Sequence, residues 1–327
     1  MTWDGVRLHI VTGKGGTGKT TVAAALATAL AAQGQHVLVA EVEGRQGLCQ
    51  VFDVPPLGER EVRVARGLDG GQVWGLSVDA KVAFAEYLRM FYKLGLAGSV
   101  LDRFGVVDFA TTLAPGVRDV LLLGRVYEAV RRRTGRRGAQ DQQIYDAVVL
   151  DAPPTGRVGK FLNVSEEVAH LAKAGPVKSQ ADDMMALLRG PATRVHLVTL
   201  LEEMPVQETV EAADELRGLG LRLGELFVNA ERAPLLRPEA LDMLADDSAI
   251  APLEEDLRTA GLRVGPTLVG GLTQGGLDLR DRLALQDEQR SALDALGMPT
   301  CHLPLLPAGI EAGGLGTLAT VIREEMR

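Results

Sequence analysis

Two cysteines in 327 residues leave little room for thiol chemistry. Cys49 and Cys301 stand far apart and in no pair motif. That excludes a CxxC zinc site or a four-cysteine cluster within one chain, and it fits a reducing compartment. Positive charge is also in short supply. The 35 Lys and Arg against 43 Asp and Glu give a net charge of -8, with no electrostatic footprint for nucleic acid. One basic cluster, Arg131, Arg132, Arg133, Arg136 and Arg137, reads as a solvated loop between two elements. Long apolar runs are missing too: Val22 to Ala32, broken by Thr28, falls well short of the ~20 residues that span a bilayer. The opening stretch MTWDGVRLHIV has no basic segment ahead of an apolar core, so no signal peptide is predicted. These absences predict a soluble, cytoplasmic chain with no nucleic-acid partner and no direct membrane insertion.

What is present is an alternation of apolar, β-branched runs with helix-like segments, which predicts an α/β fold with a mostly parallel, doubly wound sheet. Strands are predicted at Leu8–Thr12, His36–Ala40, Val73–Val78, Ala147–Leu150, Val195–Leu200, Leu226–Val228 and His302–Pro304. Most are apolar nearly throughout, as strands covered on both faces are. The stretch TTVAAALATALAAQG predicts a helix closed by Gly34. Two segments, about 79–140 and 160–190, carry helical patterns and predict an inserted helical subdomain. Phe84, Leu88 and Phe91 form a stripe in the first, and the Met184–Met185 pair lies in the second. Residues of about 233–296 form a polar insertion, whose glycines (Gly265, Gly270, Gly271, Gly275, Gly276) predict a mobile loop. With no internal repeat and no second phosphate loop, the chain 1–327 is predicted to be a single domain.

The densest chemistry lies in GKGGTGKT, Gly13 to Thr20. It satisfies G-x-x-x-x-G-K-[ST] between a predicted strand and a predicted helix, the context of a P-loop. Gly13, Gly15, Gly16 and Gly18 let backbone N–H groups converge on phosphate without Cβ clashes. The helix N-terminus adds its dipole. Lys19 is expected at the β- and γ-phosphates, and Thr20 as a ligand of Mg²⁺. Lys14, Thr17 and Thr21 complete the candidate ATP contacts. In VVLDAPPTGR, Asp151 follows four apolar residues as a Walker-B aspartate does, and is the second candidate for Mg²⁺. Pro153, Pro154 and Gly156 suit a segment that senses the γ-phosphate. Glu41 and Glu43 end the second strand at the same edge, where alternation points one of them toward the cleft.

KGGTGKTT resembles the deviant Walker A sequence shared by septum-site and partition ATPases, nitrogenase iron protein and the arsenical-pump ATPase. The wider pattern is similar to the branch of arsenical-pump and tail-anchored-protein-targeting ATPases, above all its actinobacterial-type anion-transporting members. LDAPPTGR resembles that branch's switch II, and ATTLAPGVRDVL a segment of its helical subdomain. LVTLLEEMPVQETVEAADELRGLGL resembles its strand and helix after the switch. LFVNAE and HLPLLPAGIEAGG resemble its two adenine-pocket elements. The resemblance implies an ATPase working as a dimer, homodimeric or paired with a paralogous ATPase. In such a dimer Lys14 would reach the partner's nucleotide, and the nucleotide state would be coupled to a client protein, such as a hydrophobic membrane-protein tail. Asn229 would bond the adenine edge, with Pro304 and Leu305 against the ring. Met90, Met184 and Met185 fit an adaptable client groove, although helically spaced apolar residues fit plain core as well.

Three departures qualify this. Glu43 stands where the branch has the switch I aspartate that orients the attacking water, and its extra methylene predicts slow hydrolysis, unless Glu41 shares the task. Arg157 replaces the switch II histidine, and its charge could meet phosphate or a partner subunit. The cysteines needed for arsenite, a zinc clamp or an iron–sulfur cluster are missing. A weakly hydrolysing regulatory subunit is therefore the alternative to an active ATPase, with arsenite efflux and a partition-type role less favoured.

Overall fold

The computed structural model describes residues 3–42, 44, 46–67, 69–80, 83, 115–134, 142–163, 176–232, 236–244, 250–311 and 313–325. Eight strands form one sheet: β1 (Leu8–Gly13), β2 (His36–Val42), β3 (Val62–Arg66), β4 (Gln72–Val78), β5 (Ala147–Asp151), β6 (Thr193–Thr199), β7 (Leu223–Glu231) and β8 (Thr300–Pro304). Their order is β3-β4-β2-β5-β1-β6-β7-β8. Every neighbouring pair is parallel except β3–β4. The seven predicted strands are all present. β3 was missed because VRVAR is a partly exposed edge strand, interrupted by a register shift between Arg63 and Ala65, and lacks a clean apolar face.

Ten helices can be followed among the described residues: α1 (Lys19–Ala31), α2 (Gly47–Val51), α3 (Pro115–Arg131), α4 (Thr155–Leu162), α5 (Pro176–Arg189), α6 (Glu203–Gly218), α7 (Pro238–Met243), α8 (Ile250–Thr259), α9 (Pro266–Asp294) and α10 (Gly314–Glu325). α1 is Ala- and Leu-rich because it is enclosed. It packs on β2 and β5 from one side and on α10 from the other, and most of its residues are buried. The chain turns out of it at Gly34, whose φ of 84° is left-handed and whose N–H reaches Ala31 O. The opposite face of the sheet is covered by α3, α4, α5 and α6, whose apolar residues join one core cluster with Leu8, Ile10, Val148 and Leu150. Strand residues thus alternate between two cores, which is why the strands read as unbroken apolar runs.

Within the α1-side core sits a polar exception. His9 of β1 and His196 of β6 are fully buried and stacked, with His9 Nδ1 3.0 Å from His196 Nε2. Glu225 of β7 lies 2.7 Å from His196 Nδ1, and Trp3 stands edge-on to both rings. Burial holds the His9 imidazole well below its ordinary pKa, and the neighbouring His196 and Arg194 push the same way.

Three expectations change. The glycine-rich insertion is no loop: α9 runs unbroken for 29 residues through Gly270, Gly271, Gly275 and Gly276. Its C-terminal half is rich in Leu, Ala, Gln and Arg, and contacts with α6, α7 and α8 offset the roughly 1 kcal/mol per glycine. At Gly276 a Cβ would stand 2.2 Å from Leu244, so the glycine serves packing. Second, the Met184–Met185 pair of α5 lies buried in the core, as the plain-core alternative has it. Third, part of the basic cluster is structured: Arg131 ends α3, and Arg132 is ion-paired with Glu61 and Glu128. Phe84, Leu88, Met90 and Phe91 lie outside the described residues. No helix among the described residues is long and apolar enough to cross a membrane.

Candidate nucleotide-binding site

β1 ends at Gly13 beside Val198, and α1 begins at Lys19, so residues 14–18 make the turn between strand and helix. Gly18 has φ 89°, and a Cβ there would stand 2.3 Å from Asn229 Nδ2, so both the backbone and the space require glycine. The Lys14 carbonyl closes the turn. It accepts the Thr17 N–H (3.3 Å), the Thr17 hydroxyl (2.9 Å) and the Lys19 ammonium (3.0 Å). Gly15 and Gly16 are exposed at the tip, Thr17 and Lys19 are buried, and Thr21 is half-buried in the first turn of α1. The first amides of α1 have no acceptor within the helix, which suits an anion.

Thr20 Oγ1 donates to Asp151 Oδ2 at 2.6 Å. Asp151 is buried at the end of β5, in register with Glu41 of β2 and Val11 of β1. Mg²⁺ with a phosphate substrate needs only one or two protein oxygens, the rest being water and phosphate. A hydroxyl and a carboxylate meeting at a helix N-terminus fit that demand. No group of three or more His, Cys, Asp or Glu that could cage a metal occurs among the described residues.

The segment after β5 is tied back to the loop. Thr12 Oγ1 donates to Pro153 O at 2.7 Å, and α4 then starts at Thr155. The Thr155 hydroxyl donates to Glu208 Oε2 (3.0 Å), while Glu208 Oε1 receives the Lys14 ammonium at 2.5 Å. Lys14 therefore does not extend freely into solvent; α6 of its own chain holds it. The Lys14 ammonium keeps the Glu208 carboxyl below its ordinary pKa against the effect of burial, with smaller help from Thr155 and Lys19. Side-chain exposures of 27% and 32% put this pair among those worth about 0–1 kcal/mol, so it can be exchanged for a better anion. Arg157 has Asp119 of α3 as an ion partner at 3.9 Å.

Glu41 is almost fully buried, and both of its oxygens are engaged: Oε1 accepts the Gln46 N–H (2.9 Å) and Oε2 the Leu48 N–H (3.1 Å). It thus caps the first turn of α2, a role its position at a strand end did not reveal. Gln46 itself has φ 55°, and its side chain bonds both the N–H and the carbonyl of Leu57. Glu43 lies outside the described residues.

On the far side, Asn229 of β7 donates Nδ2 to Thr17 O at 2.8 Å, so this amide nitrogen braces the loop. Pro304 ends β8 at the same edge, and Leu305 follows, partly exposed, with its N–H on Glu231 O at 2.7 Å. Glu231 binds Arg290 of α9 (2.5 Å) and His302 of β8 (2.6 Å), anchoring α9 beside the site. Burial raises the pKa of Glu231, but its bonds to Arg290 and His302 outweigh this and hold it below its ordinary value. Glu208, Thr155 and Glu231 were not singled out in the sequence. Thr155 and Glu208 meet only through a contact between α4 and α6, and Glu231 only through its bonds to Arg290 and His302, which no local spacing announces.

The geometry therefore gathers Gly13 to Thr21, Asp151, Asn229, Pro304 and Leu305 along one edge of the sheet. Comparison with known proteins gives the family. A family model described as anion-transporting ATPase, of the ArsA type, matches residues 6–191, more than half of the chain. The chain is 46% identical to "ATPase BagA" of Mycobacterium tuberculosis over 323 residues, 98% of this chain and 94% of that protein. It is 25% identical over 254 residues to "Putative arsenical pump-driving ATPase 2" of Aquifex aeolicus, covering 68% of this chain and 80% of that protein. To the "Putative arsenical pump-driving ATPase" of Chlorobaculum tepidum it is 27% identical over 215 residues, 64% of this chain and 48% of that protein. The match across the P-loop half, together with near full-length relatedness to a named ATPase, shows that the chain belongs to the ArsA-type ATPase family.

Proposed function

We propose that this ATPase is a Mg²⁺-dependent nucleotide switch that works as a dimer, with ATP as substrate. The observation that carries the reading is the Thr20–Asp151 contact beside the loop. The amides of residues 14–20 and the Lys19 ammonium hold the β- and γ-phosphates. Bound Mg²⁺, held by Thr20 and Asp151, would neutralise the phosphate charge that develops in transfer. Glu43 is assigned the orientation of the attacking water, and its longer side chain makes the turnover slow. Asn229, Pro304 and Leu305 are assigned to the adenine, with Asn229 also steadying Thr17. Lys14 is assigned to the nucleotide of a partner subunit, a second copy or a paralogue. ATP-dependent closure of the pair then couples to a client protein, of which a membrane-protein tail is one candidate.

Arsenite is not the proposed cargo. Cys49 and Cys301 are both buried, the first in α2 and the second in β8 on the sheet, and two isolated thiols offer no thiolate cage.

The test combines nucleotide binding, steady-state hydrolysis and sedimentation velocity on three proteins. Lys19→Ala is expected to lose ATP binding and turnover together. Lys14→Ala is expected to keep ATP binding within about 3-fold, since its contact lies outside its own site, and to lose ATP-dependent dimer formation. Equal loss of binding and assembly in Lys14→Ala would refute that division of labour. Weak turnover of the wild-type chain, rising on addition of a paralogous ATPase, would favour the regulatory-subunit reading.

A further inference from the structure

We infer that Glu208 is a latch, a positioning residue that holds Lys14 within its own chain and must release it before subunits can assemble. The inference rests on the proposed dimer for what Lys14 does after release, and on geometry alone for the latch. One carboxylate takes two partners with its two oxygens: Lys14 Nζ at 2.5 Å and Thr155 Oγ1 at 3.0 Å. Those partners belong to the two pieces that flank phosphate in a P-loop site, the loop after β1 and the start of α4 after Asp151. Glu208 itself stands on α6, which packs against α4. The latch therefore links three elements through a single anionic group.

Its chemistry makes it responsive to phosphate. Lys14 is a flexible ammonium, paired at a half-exposed site where the pair adds little stability. A phosphate brings more negative charge than a carboxylate, so the partner subunit's nucleotide competes with Glu208 for the same cation. It also repels Glu208, whose charge then lacks its counterion. Losing Lys14 removes one of the two anchors of Glu208 and weakens its hold on Thr155. Capture of Lys14 and loosening of the start of α4 thus become a single event. Opposite-charge pairing in cis and phosphate pairing in trans are mutually exclusive states of one side chain, the bistable element that a switch requires.

The experiment measures dimer formation by sedimentation velocity against a non-hydrolysable ATP analogue with Mg²⁺, for wild type, Glu208→Gln, Lys14→Ala and the double variant. Glu208→Gln keeps the size and a hydrogen-bond acceptor for Thr155 but removes the charge. It is expected to tighten the analogue-dependent dimer about 5- to 10-fold, and this gain is expected to vanish in the Lys14→Ala background. A dimer unchanged or weakened by Glu208→Gln, or an equal gain without Lys14, overturns the latch. Amide hydrogen exchange of the nucleotide-free protein separates the latch from the dimer reading. Glu208→Ala and Thr155→Val are each expected to speed exchange across residues 155–162 several-fold. If the wild type forms no dimer with the analogue, the dimer reading falls and this exchange decides the latch; unchanged exchange in both variants overturns it.

Discussion

Thr20 Oγ1 and Asp151 Oδ2 meet at 2.6 Å, although 131 residues separate them in the chain. The first belongs to the opening turn of α1 and the second to the end of β5, and adjacency of β1 and β5 in the sheet brings them together. On the proposed reading, a hydroxyl and a carboxylate held this way would supply the protein's share of a Mg²⁺ shell, with phosphate and water supplying the rest. Asp151→Asn keeps the size and the hydrogen bond but removes the charge. Its ATP turnover is expected to fall about 10²- to 10³-fold with the fold retained, and raising Mg²⁺ should recover part of it. Turnover within a few-fold of wild type at saturating ATP would take Asp151 out of the metal site.

Glu41 offers a stability test. Its two oxygens satisfy the N–H groups of Gln46 and Leu48, so Glu41→Ala leaves those donors unpaired in a buried place. The expected cost is about 1–3 kcal/mol per lost partner where water cannot enter, read as a lower denaturation midpoint at unchanged denaturant slope. Because α2 follows directly on residues 43–45, ATP turnover should fall in the same variant. Glu41→Gln, which keeps one carbonyl acceptor, should fall between the two. A Glu41→Ala protein as stable as wild type would show that the cap does not hold α2.

The buried His9 gives a pH dependence with a defined sign. Its folded pKa lies well below the ordinary 6.5 because burial, His196 and Arg194 all oppose the charged form. Between the folded and unfolded values the unfolded chain binds more protons, so stability is complete above pH 6.5 and is lost as the pH falls below it. The slope cannot exceed about 1.4 kcal/mol per pH unit for one group. Urea midpoints measured from pH 7.5 to 5 should therefore decline, and His9→Phe should flatten that decline whatever it does to stability at pH 7.5. Identical slopes in the two proteins would assign the effect to other groups.

How far the sequence could be read depended on how local each signal was. Gly13 to Thr20 is contiguous and its glycines have a stereochemical purpose, so the loop was legible outright. Asp151 was legible because four apolar residues lead into it. The seven strands with apolar faces were legible; β3, whose Arg63 and Arg66 face water at the edge, was not. The glycines of α9 spoke for a loop by propensity, and packing on α6 and α7 overruled them. Glu208 was invisible for the opposite reason. Nothing near it in QETVEA marks it, and its meaning comes from Lys14, 194 residues away.

α9 has one further consequence. At 1.5 Å per residue its 29 residues extend about 43 Å. Its C-terminal end is fastened to the body: Arg290 is bound to Glu231, Leu293 is buried, and Arg217 donates to Leu296 O just past the helix. Its other end carries α7 and α8. Glu231 lies two residues beyond Asn229, the residue that braces the loop. Mechanically, α9 is a long arm mounted at the edge of the nucleotide site. A tilt of about 10° at that mount would carry the far tip about 7 Å, by the helix length just given. A displacement small at Thr17 would thus be large at the tip.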